Sequence, residues 1–192
     1  MTDLILASSS PYRRNLLTRL GLPFEHCSPD IDESPLADEA PKTLAARLSQ
    51  QKAQAVAETY SNSVIIGSDQ VAECSGEFLS KPQQFEAACE QLRRQSSQRV
   101  TFYTGLCVLD TRNNHSQVDV VITQVQFRQL SDNDIVCYLN KEKPFNCAGS
   151  FKVEQLGIAL FESVGSQDPT ALEGLPLIRL CQMLRQAGFQ LP

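Results

Sequence analysis

The run Val64-Ile65-Ile66 restricts the fold of this chain more than any other feature. A compact run of β-branched residues predicts a central, buried strand. A second apolar run over residues 4–7 predicts another buried strand, and Ser10 with Pro11 predicts the start of a helix soon after it. Buried strands that alternate with helices indicate a mixed α/β fold.

The rest of the chain continues this alternation. Apolar residues at helical spacing predict helices over residues 41–60 and 82–96, and a final helix is predicted over 175–187. A capping box of Ser131 and Asp134 predicts a further helix over residues 131–140. Alternating or continuous apolar patterns predict strands over residues 23–28, 99–110, 118–130 and 158–162, with a hairpin over 73–81. Because a short turn joins strands 99–110 and 118–130, we expect an antiparallel pair inside the sheet. A single domain over residues 1–192 is predicted.

The acidic balance of the chain bears on its partners. The formal net charge is −5 and the pI is about 5.1, whereas a domain that binds nucleic acid is usually basic. A small phosphate ligand remains compatible, because a few local cations suffice for it. The start of the chain lacks the features of a signal peptide, and no apolar run is as long as a membrane span. We therefore expect a cytoplasmic protein with no nucleic-acid or membrane partner.

The cysteines and histidines restrict the chemistry further. The seven cysteines are odd in number, scattered and without a CxxC pair, unlike the disulfide framework of a short secreted chain. They are expected to be small apolar side chains in a reducing cytosol. His26 and His115 are far apart in the sequence, which argues against a Cys/His zinc site. Any metal would therefore be bound by oxygen ligands.

The serines at 8–10 lie between a predicted strand and the first turn of a predicted helix. Backbone N–H groups, hydroxyls and the guanidiniums of Arg13 and Arg14 meet there, and such groups bind phosphate. A plain serine N-cap followed by two solvated arginines explains the same residues about as well.

Three acidic residues are candidates for metal binding or catalysis. Asp32 and Glu33 form either a site for a hard cation such as Mg²⁺ or a solvated acidic loop. Asp69 is expected at the carboxyl end of the buried strand, the region where sites of α/β proteins gather. A carboxylate there can hold a metal or deprotonate water, and the alternative is an ordinary Gly-Ser-Asp turn.

Lysines supply the remaining candidate cations. Lys81, fixed before a proline, and Lys52, on a predicted helix, could neutralise phosphate or be ordinary surface residues. Glycines flank Lys152 and Glu154, which suits either close approach to a ligand or a plain turn. The chain contains no P-loop sequence.

Taken together and in this order, these segments resemble the Maf family. The matching segments are LILASSSPYRR (4–14), Asp32-Glu33, Lys52, IGSDQ (66–70), Lys81-Pro82, TFYTG (101–105), AGSFKVE (148–154), Gly157-Ile158 and GLPLI (174–178). Each is weakly specific alone, but nine in register are rarely obtained by chance. The resemblance implies an α/β fold similar to inosine triphosphate pyrophosphatases, with a mixed sheet, helices and two lobes around a deep cleft.

The resemblance also implies a hydrolase that splits a nucleoside triphosphate into a monophosphate and pyrophosphate. It implies a divalent cation, Mg²⁺, Mn²⁺ or Co²⁺, and often a homodimer. Asp69 is the implied catalytic residue, and Glu33 and Asp69 are the implied metal ligands. The implied phosphate-binding residues are Ser8, Ser10, Arg13, Lys52 and Lys81.

Three further positions make the chain similar to the branch of the family that acts on 7-methyl-GTP: Tyr12, Gln70 and Glu154. The methylated base is cationic, so a tyrosine face can stack on it and a glutamate can accept from its N–H groups. Gln70 can donate or accept at the base edge. The alternatives are a dTTP and UTP pyrophosphatase of the same family, or a regulator of cell division that binds nucleotide without hydrolysing it.

Overall fold

The fold is given by a computed structural model that describes residues 3–192. Its strands are β1 Asp3–Ala7, β2 Glu25–Cys27, β3 Ser63–Cys74, β4 Glu77–Phe78, β5 Arg99–Asp110, β6 His115–Phe127 and β7 Phe161–Ser166. Its α-helices are α1 Pro11–Thr18, α2 Pro41–Ala57, α3 Phe85–Gln95, α4 Asp132–Glu142 and α5 Leu177–Gln186. Three short 3₁₀ turns cover Ala148–Ser150, Leu156–Leu160 and Ala171–Glu173.

The strands form one mixed sheet in the order β2-β1-β3-β5-β6-β7, with β4 paired to β3. Strand β1 is parallel to both β2 and β3, whereas β4 and β7 run antiparallel to their partners. The predicted mixed α/β fold is therefore confirmed. Among residues 3–192, no helix is both long enough and apolar enough to cross a membrane.

The chain divides into two compact units. The first comprises the described residues up to Gln70 with Tyr103–Val121 and Asp168–Pro192, and the second comprises Val71–Phe102 and Ile122–Gln167. The single domain and the cleft expected from the sequence stay predictions.

In the first unit, β1 and β3 are buried on both faces. Leu4 and Leu6 belong to one apolar cluster, which residues of α1 and α5 complete. Ile5 and Ile65 belong to a second cluster, which residues of α2 complete. The β-branched run at 64–66 thus indicated the central strand correctly.

The core of the second unit is aromatic. Phe151 makes edge contacts with three rings, and the centroids are 5.4 Å from Phe102, 5.8 Å from Phe127 and 4.9 Å from Phe161. Such edge-to-face pairs stabilise a core beyond the apolar area that they bury.

Two predictions of local structure are wrong. Strand β3 continues to Cys74, so Asp69 lies within the strand and not at its end. The predicted strand at 158–162 begins only at Phe161, because the preceding residues form the 3₁₀ turn Leu156–Leu160. This turn is compact at Gly157, where a Cβ atom would lie 2.3 Å from the Lys152 carbonyl oxygen.

Helix α2 lies directly on the sheet at two glycines. A Cβ atom at Gly67 of β3 would lie 2.0 Å from the Ser49 carbonyl oxygen. One at Gly105 of β5 would lie 2.0 Å from the Ala45 carbonyl oxygen, one turn earlier in α2. Only glycine permits this approach, and the approach brings Lys52, three residues after Ser49, beside β3.

Candidate active site

Lys52 of α2 is the centre of the candidate site. Its ammonium lies 2.6 Å from Asp69 Oδ1 and 2.6 Å from Glu33 Oε1. The Lys52 and Asp69 side chains are 7% and 10% exposed, whereas the Glu33 side chain is 51% exposed. A buried ammonium is costly unless it is paired. The two carboxylates therefore stabilise the lysine in its buried position.

Arg13 of α1 lies close to the same carboxylates. Burial lowers the pKa of its guanidinium, while the negative charges of Asp69 and Glu33 raise that pKa. The Arg13 Nε donates to the Gly174 carbonyl at 2.9 Å, and one terminal nitrogen donates to Ser8 Oγ at 3.5 Å. A guanidinium stays charged under these conditions. The site thus holds a second cation with a fixed orientation.

The serine turn before α1 is organised by its own hydrogen bonds. Ser10 is the N-cap, and its Oγ accepts from the Arg13 backbone N–H at 3.4 Å. Ser8 Oγ accepts from the Ser10 backbone N–H at 3.1 Å. Ser8 is buried, and Pro11 occupies the first turn of the helix. The predicted cap is confirmed, and it holds both hydroxyls beside a helix N-terminus.

The loop that carries Glu33 is fixed from α2 by Arg47. The Arg47 guanidinium donates to both oxygens of Glu39 at 2.7 Å and to the Ser34 carbonyl at 3.0 Å. These bonds from Arg47 lower the pKa of Glu39 to about 2. Hydrogen bonds from the Ser34 side chain and from the Ser34 backbone N–H, which donates to Asp32 Oδ1, lower the pKa of Asp32. Asp32 therefore stabilises the turn within the loop, whereas the Glu33 side chain contacts Lys52.

Gln70 follows Asp69 on β3 and bonds to the main chain of a neighbouring turn. Its Nε2 lies 2.9 Å from the Ala171 carbonyl, 3.2 Å from the Leu172 carbonyl and 3.1 Å from Thr104 Oγ1. The amide nitrogen is therefore engaged by the protein.

The remaining predicted residues divide between the two units. Tyr12 lies half-buried on α1, in the first unit. Lys81 and Glu154 are exposed and belong to the second unit. Lys81 lies in a shallow depression together with Ser80, Glu90 and Arg94. Lys152 is tied to its own unit, because its ammonium donates to the Glu142 carbonyl at 2.7 Å.

Glu33 and Asp69 fit a divalent cation as a pair. They share one cation, the Lys52 ammonium, so their oxygens lie close enough to share another. Mg²⁺ is commonly held by one or two carboxylates together with substrate phosphates. Among residues 3–192 there is no cluster of three or more Asp, Glu, His or Cys that could hold a metal. The protein thus supplies part of a coordination shell, and phosphate oxygens would supply more.

Two residues that hold the site in position, Ser68 and Arg47, were not predicted from the sequence. Ser68 Oγ lies 2.8 Å from the Gly105 carbonyl and 3.0 Å from the Gly174 carbonyl, and it is fully buried. Arg47 orders the Glu33 loop. The polar Ser68 next to the apolar run was a visible signal for a buried hydrogen bond, but no sequence pattern marked Arg47.

Comparisons with known proteins identify relatives of this chain. A family model described as Maf-like protein matches residues 3–187. The chain is 54% identical to a 7-methyl-GTP pyrophosphatase of Nitrosococcus oceani over 186 residues, which cover 97% of this chain and 94% of that protein. It is 53% identical to a 7-methyl-GTP pyrophosphatase of Pseudomonas aeruginosa over 192 residues, which cover 100% of both chains.

Proposed function

We propose, from the fact that this chain belongs to the Maf family, that it is a nucleotide pyrophosphatase that hydrolyses 7-methyl-GTP to 7-methyl-GMP and pyrophosphate. The observation that carries the proposal is the full-length identity to two proteins named for this activity. The group of two carboxylates and two cations in the first unit, with Lys52 and Asp69 nearly buried, supports it. A protein that removes modified nucleotides by hydrolysis needs carboxylates and cations together, whereas a protein that only binds nucleotide does not.

The cations of the site bind the triphosphate. Arg13 is already oriented by Gly174, which leaves its other terminal nitrogen to donate to phosphate oxygens. Lys52 would donate to phosphate oxygens from its position between Glu33 and Asp69. Ser8 and Ser10 add hydroxyl and backbone donors at the start of α1. Lys81 is a further cation proposed to bind phosphate.

Glu33 and Asp69 would hold the divalent cation, Mg²⁺, Mn²⁺ or Co²⁺. When bound, such a cation neutralises the charge that develops on phosphate oxygens during cleavage. Both carboxylates face the Lys52 ammonium, so their oxygens lie close enough together to hold one divalent cation. The loop of Glu33, fixed through Arg47, keeps the more exposed ligand in place.

Asp69 acts on the attacking water. Its Oδ1 faces Lys52, and the carboxylate has a second oxygen that can accept a proton from water. Water adds across the phosphoanhydride bond, its proton passes to Asp69, and pyrophosphate leaves as an anion. The leaving charge is stabilised by the guanidinium and the ammonium of the site.

The base is distinguished by Tyr12, Gln70 and Glu154. The positive charge of the 7-methylguanine ring favours an aromatic face and a carboxylate over neutral partners. Because the Gln70 amide nitrogen is engaged by Ala171 and Leu172, we assign the amide oxygen to the substrate. It would accept from the exocyclic amino group of guanine.

A substrate panel tests the proposal. Purified protein is incubated with Mg²⁺ and each of 7-methyl-GTP, GTP, UTP, dTTP and CTP, and pyrophosphate is assayed separately from phosphate. Pyrophosphate mainly from 7-methyl-GTP is expected. Turnover mainly of UTP and dTTP would keep the reaction and overturn the base assignment. Binding without turnover, with Mn²⁺ and Co²⁺ also tried, would support the non-catalytic regulator instead.

We further propose that the protein acts in the cytoplasm as a homodimer. The support is the resemblance to a family that often dimerises. Sedimentation velocity measures the state directly, and a single species at the monomer mass of 21.3 kDa would contradict the dimer.

A further inference from the structure

Residues 168–174 form a compact turn next to the candidate site, which we call the 168–174 turn. Its backbone closes on itself, because Ala171 N–H donates to the Asp168 carbonyl at 3.1 Å and Gly174 N–H donates to the Ala171 carbonyl at 3.0 Å. Gly174 ends it in the left-handed region with φ of 105°. A residue with a side chain is strained in that conformation.

The turn is anchored to α5 by two side chains. Asp168 is 2% exposed, and its Oδ2 accepts from the backbone N–H groups of Ile178 at 2.7 Å and Arg179 at 3.2 Å. Thr170 Oγ1 accepts from the Leu177 N–H at 2.8 Å. The first three N–H groups of α5 are thus satisfied from outside the helix, and the carboxylate lies at the positive end of its dipole.

Asp168 and Thr170 are also joined to each other. Asp168 Oδ1 accepts from the Thr170 backbone N–H at 3.2 Å, and Thr170 Oγ1 lies 2.9 Å from the same oxygen. These contacts connect the start of the turn to the first turn of the helix at one point. The two residues together therefore hold the turn against the start of α5.

Those carbonyls point at site residues. The Gly174 carbonyl accepts from Arg13 Nε, and Ser68 Oγ lies 3.0 Å from it. The Ala171 carbonyl accepts from Gln70 Nε2 and from Thr104 Oγ1, both at 2.9 Å. The turn is therefore in direct hydrogen-bond contact with the residue proposed for phosphate and with one proposed for the base.

We propose that Asp168 and Thr170 are positioning residues, which orient the Arg13 guanidinium toward phosphate by fixing the Gly174 carbonyl. This inference rests on the proposed function, in which Arg13 binds the triphosphate. A guanidinium is planar, so one bond from its Nε sets the direction of its remaining N–H groups. Among residues 3–192, Arg13 makes no side-chain hydrogen bond other than those to Gly174 and Ser8.

The experiment is a double-mutant cycle read out by the Kd of inorganic tripolyphosphate, measured by calorimetry. Thr170→Val keeps the side-chain shape and removes its hydrogen bonds, and Arg13→Lys removes the planar donor that Gly174 orients. We expect Thr170→Val to weaken binding roughly tenfold. In the Arg13→Lys background the same change should weaken binding less than about twofold, because the two residues act as one unit.

The matched control is Thr111→Val. Thr111 Oγ1 also bonds the main chain in both directions, to Ser63 N–H at 2.9 Å and to the Ser63 carbonyl at 3.0 Å, and it is half-buried like Thr170. This variant should bind tripolyphosphate as the wild-type protein does.

Thr170→Ser keeps the hydroxyl and should restore most of the affinity that Thr170→Val loses. Asp168→Asn serves as the second variant if Thr170→Val does not fold.

Two outcomes separate this inference from the proposed function. Equal fold losses in the wild-type and Arg13→Lys backgrounds would overturn the positioning role, whatever the enzyme hydrolyses. A wild-type protein that binds tripolyphosphate and shows the expected coupling, but releases no pyrophosphate from any nucleotide, would overturn only the proposed hydrolysis.

Discussion

Lys52 and Asp69 depend on each other at the scale of single residues. Both side chains are nearly buried and 2.6 Å apart, and removing one partner of such a pair leaves a charge without compensation. Glu33, by contrast, is half-exposed and keeps access to solvent. Substitutions at the buried pair should therefore change both stability and activity, whereas substitution of Glu33 should change mainly ligand binding.

Asp69→Asn tests the catalytic role. The amide keeps the shape of the side chain but cannot take a proton from water, so pyrophosphate release should fall roughly 10²–10⁴-fold. The control is Asp110→Asn, which alters another buried carboxylate of the first unit, held by Arg112 at 2.6 Å. Thermal unfolding of both variants separates loss of fold from loss of chemistry. A fully active Asp69→Asn would refute the assignment.

Glu33→Gln tests the metal ligand. Because the variant has one carboxylate fewer, the Mg²⁺ concentration that gives half-maximal activity should rise at least about tenfold. Titrating Mg²⁺ into protein stripped with a chelator gives that concentration, and Mg²⁺-induced protection against thermal unfolding gives an independent readout. Glu58→Gln, at the exposed end of α2, is the control and should leave both curves in place. Unchanged curves for Glu33→Gln would remove Glu33 from the site.

At the scale of elements, the placement of α2 decides where the site forms. The helix approaches β3 and β5 at Gly67 and Gly105 more closely than any residue with a side chain allows. Lys52 and Arg47, on the same helix, then reach Asp69 and the Glu33 loop. The positions of Lys52 and Arg47, and so the arrangement of the site, thus depend on this one contact between the helix and the sheet.

Gly105→Ala tests this contact. The added methyl would overlap the Ala45 carbonyl oxygen at 2.0 Å, so α2 must shift, and such overpacking costs about 1–3 kcal/mol of unfolding free energy. Activity should fall as well, because the shift moves Lys52. The control is Gly165→Ala on β7, where an added Cβ meets no atom within 4 Å, and its unfolding free energy should change by less than about 0.5 kcal/mol. Denaturant unfolding of the pair measures both values.

Sequence patterns predicted the elements whose signals are local. The N-cap at Ser10 and the capping box of Ser131 and Asp134 are confirmed, because each depends on residues within one turn. The extent of β3 was not predicted, because the Gly-Ser-Asp sequence at residues 67–69 is typical of a turn. The packing of α2 on these residues is not visible in the sequence. The turn at Leu156–Leu160 was missed because apolar residues in a 3₁₀ turn imitate a short strand.

At the scale of the whole molecule, the sequence predicted the fold class and the family, but not the contacts between distant segments. Asp69, Lys52 and Glu33 could be named from their motifs, yet their ion pairs required the packing of α2 on β3. The roles of Asp168 and Thr170 depend on a turn whose carbonyls face β3 and α1, and no periodicity encodes that orientation.

The cysteines provide a probe of global unfolding. Cys74, Cys89 and Cys107 are buried, and burial raises the pKa of the Cys107 thiol to about 11. Because the thiolate is the reactive form, Cys107 should resist alkylation at neutral pH until the protein unfolds, while exposed Cys137 reacts at once. Mass spectrometry after iodoacetamide labelling across a denaturant series measures this. Labelling of Cys107 well before the loss of secondary structure would contradict the buried core.

The pairing of Lys52 has a consequence for the rate at which nucleotide associates. Glu33 and Asp69 carry two negative charges, and Arg13 and Lys52 carry two positive charges. These four charges cancel at a distance, so together they exert little long-range attraction on an approaching nucleotide. The formal net charge of the chain, −5, then dominates at long range. The rate constant of association of an anionic nucleotide should therefore rise as salt screens this repulsion, and selection among nucleotides takes place after encounter.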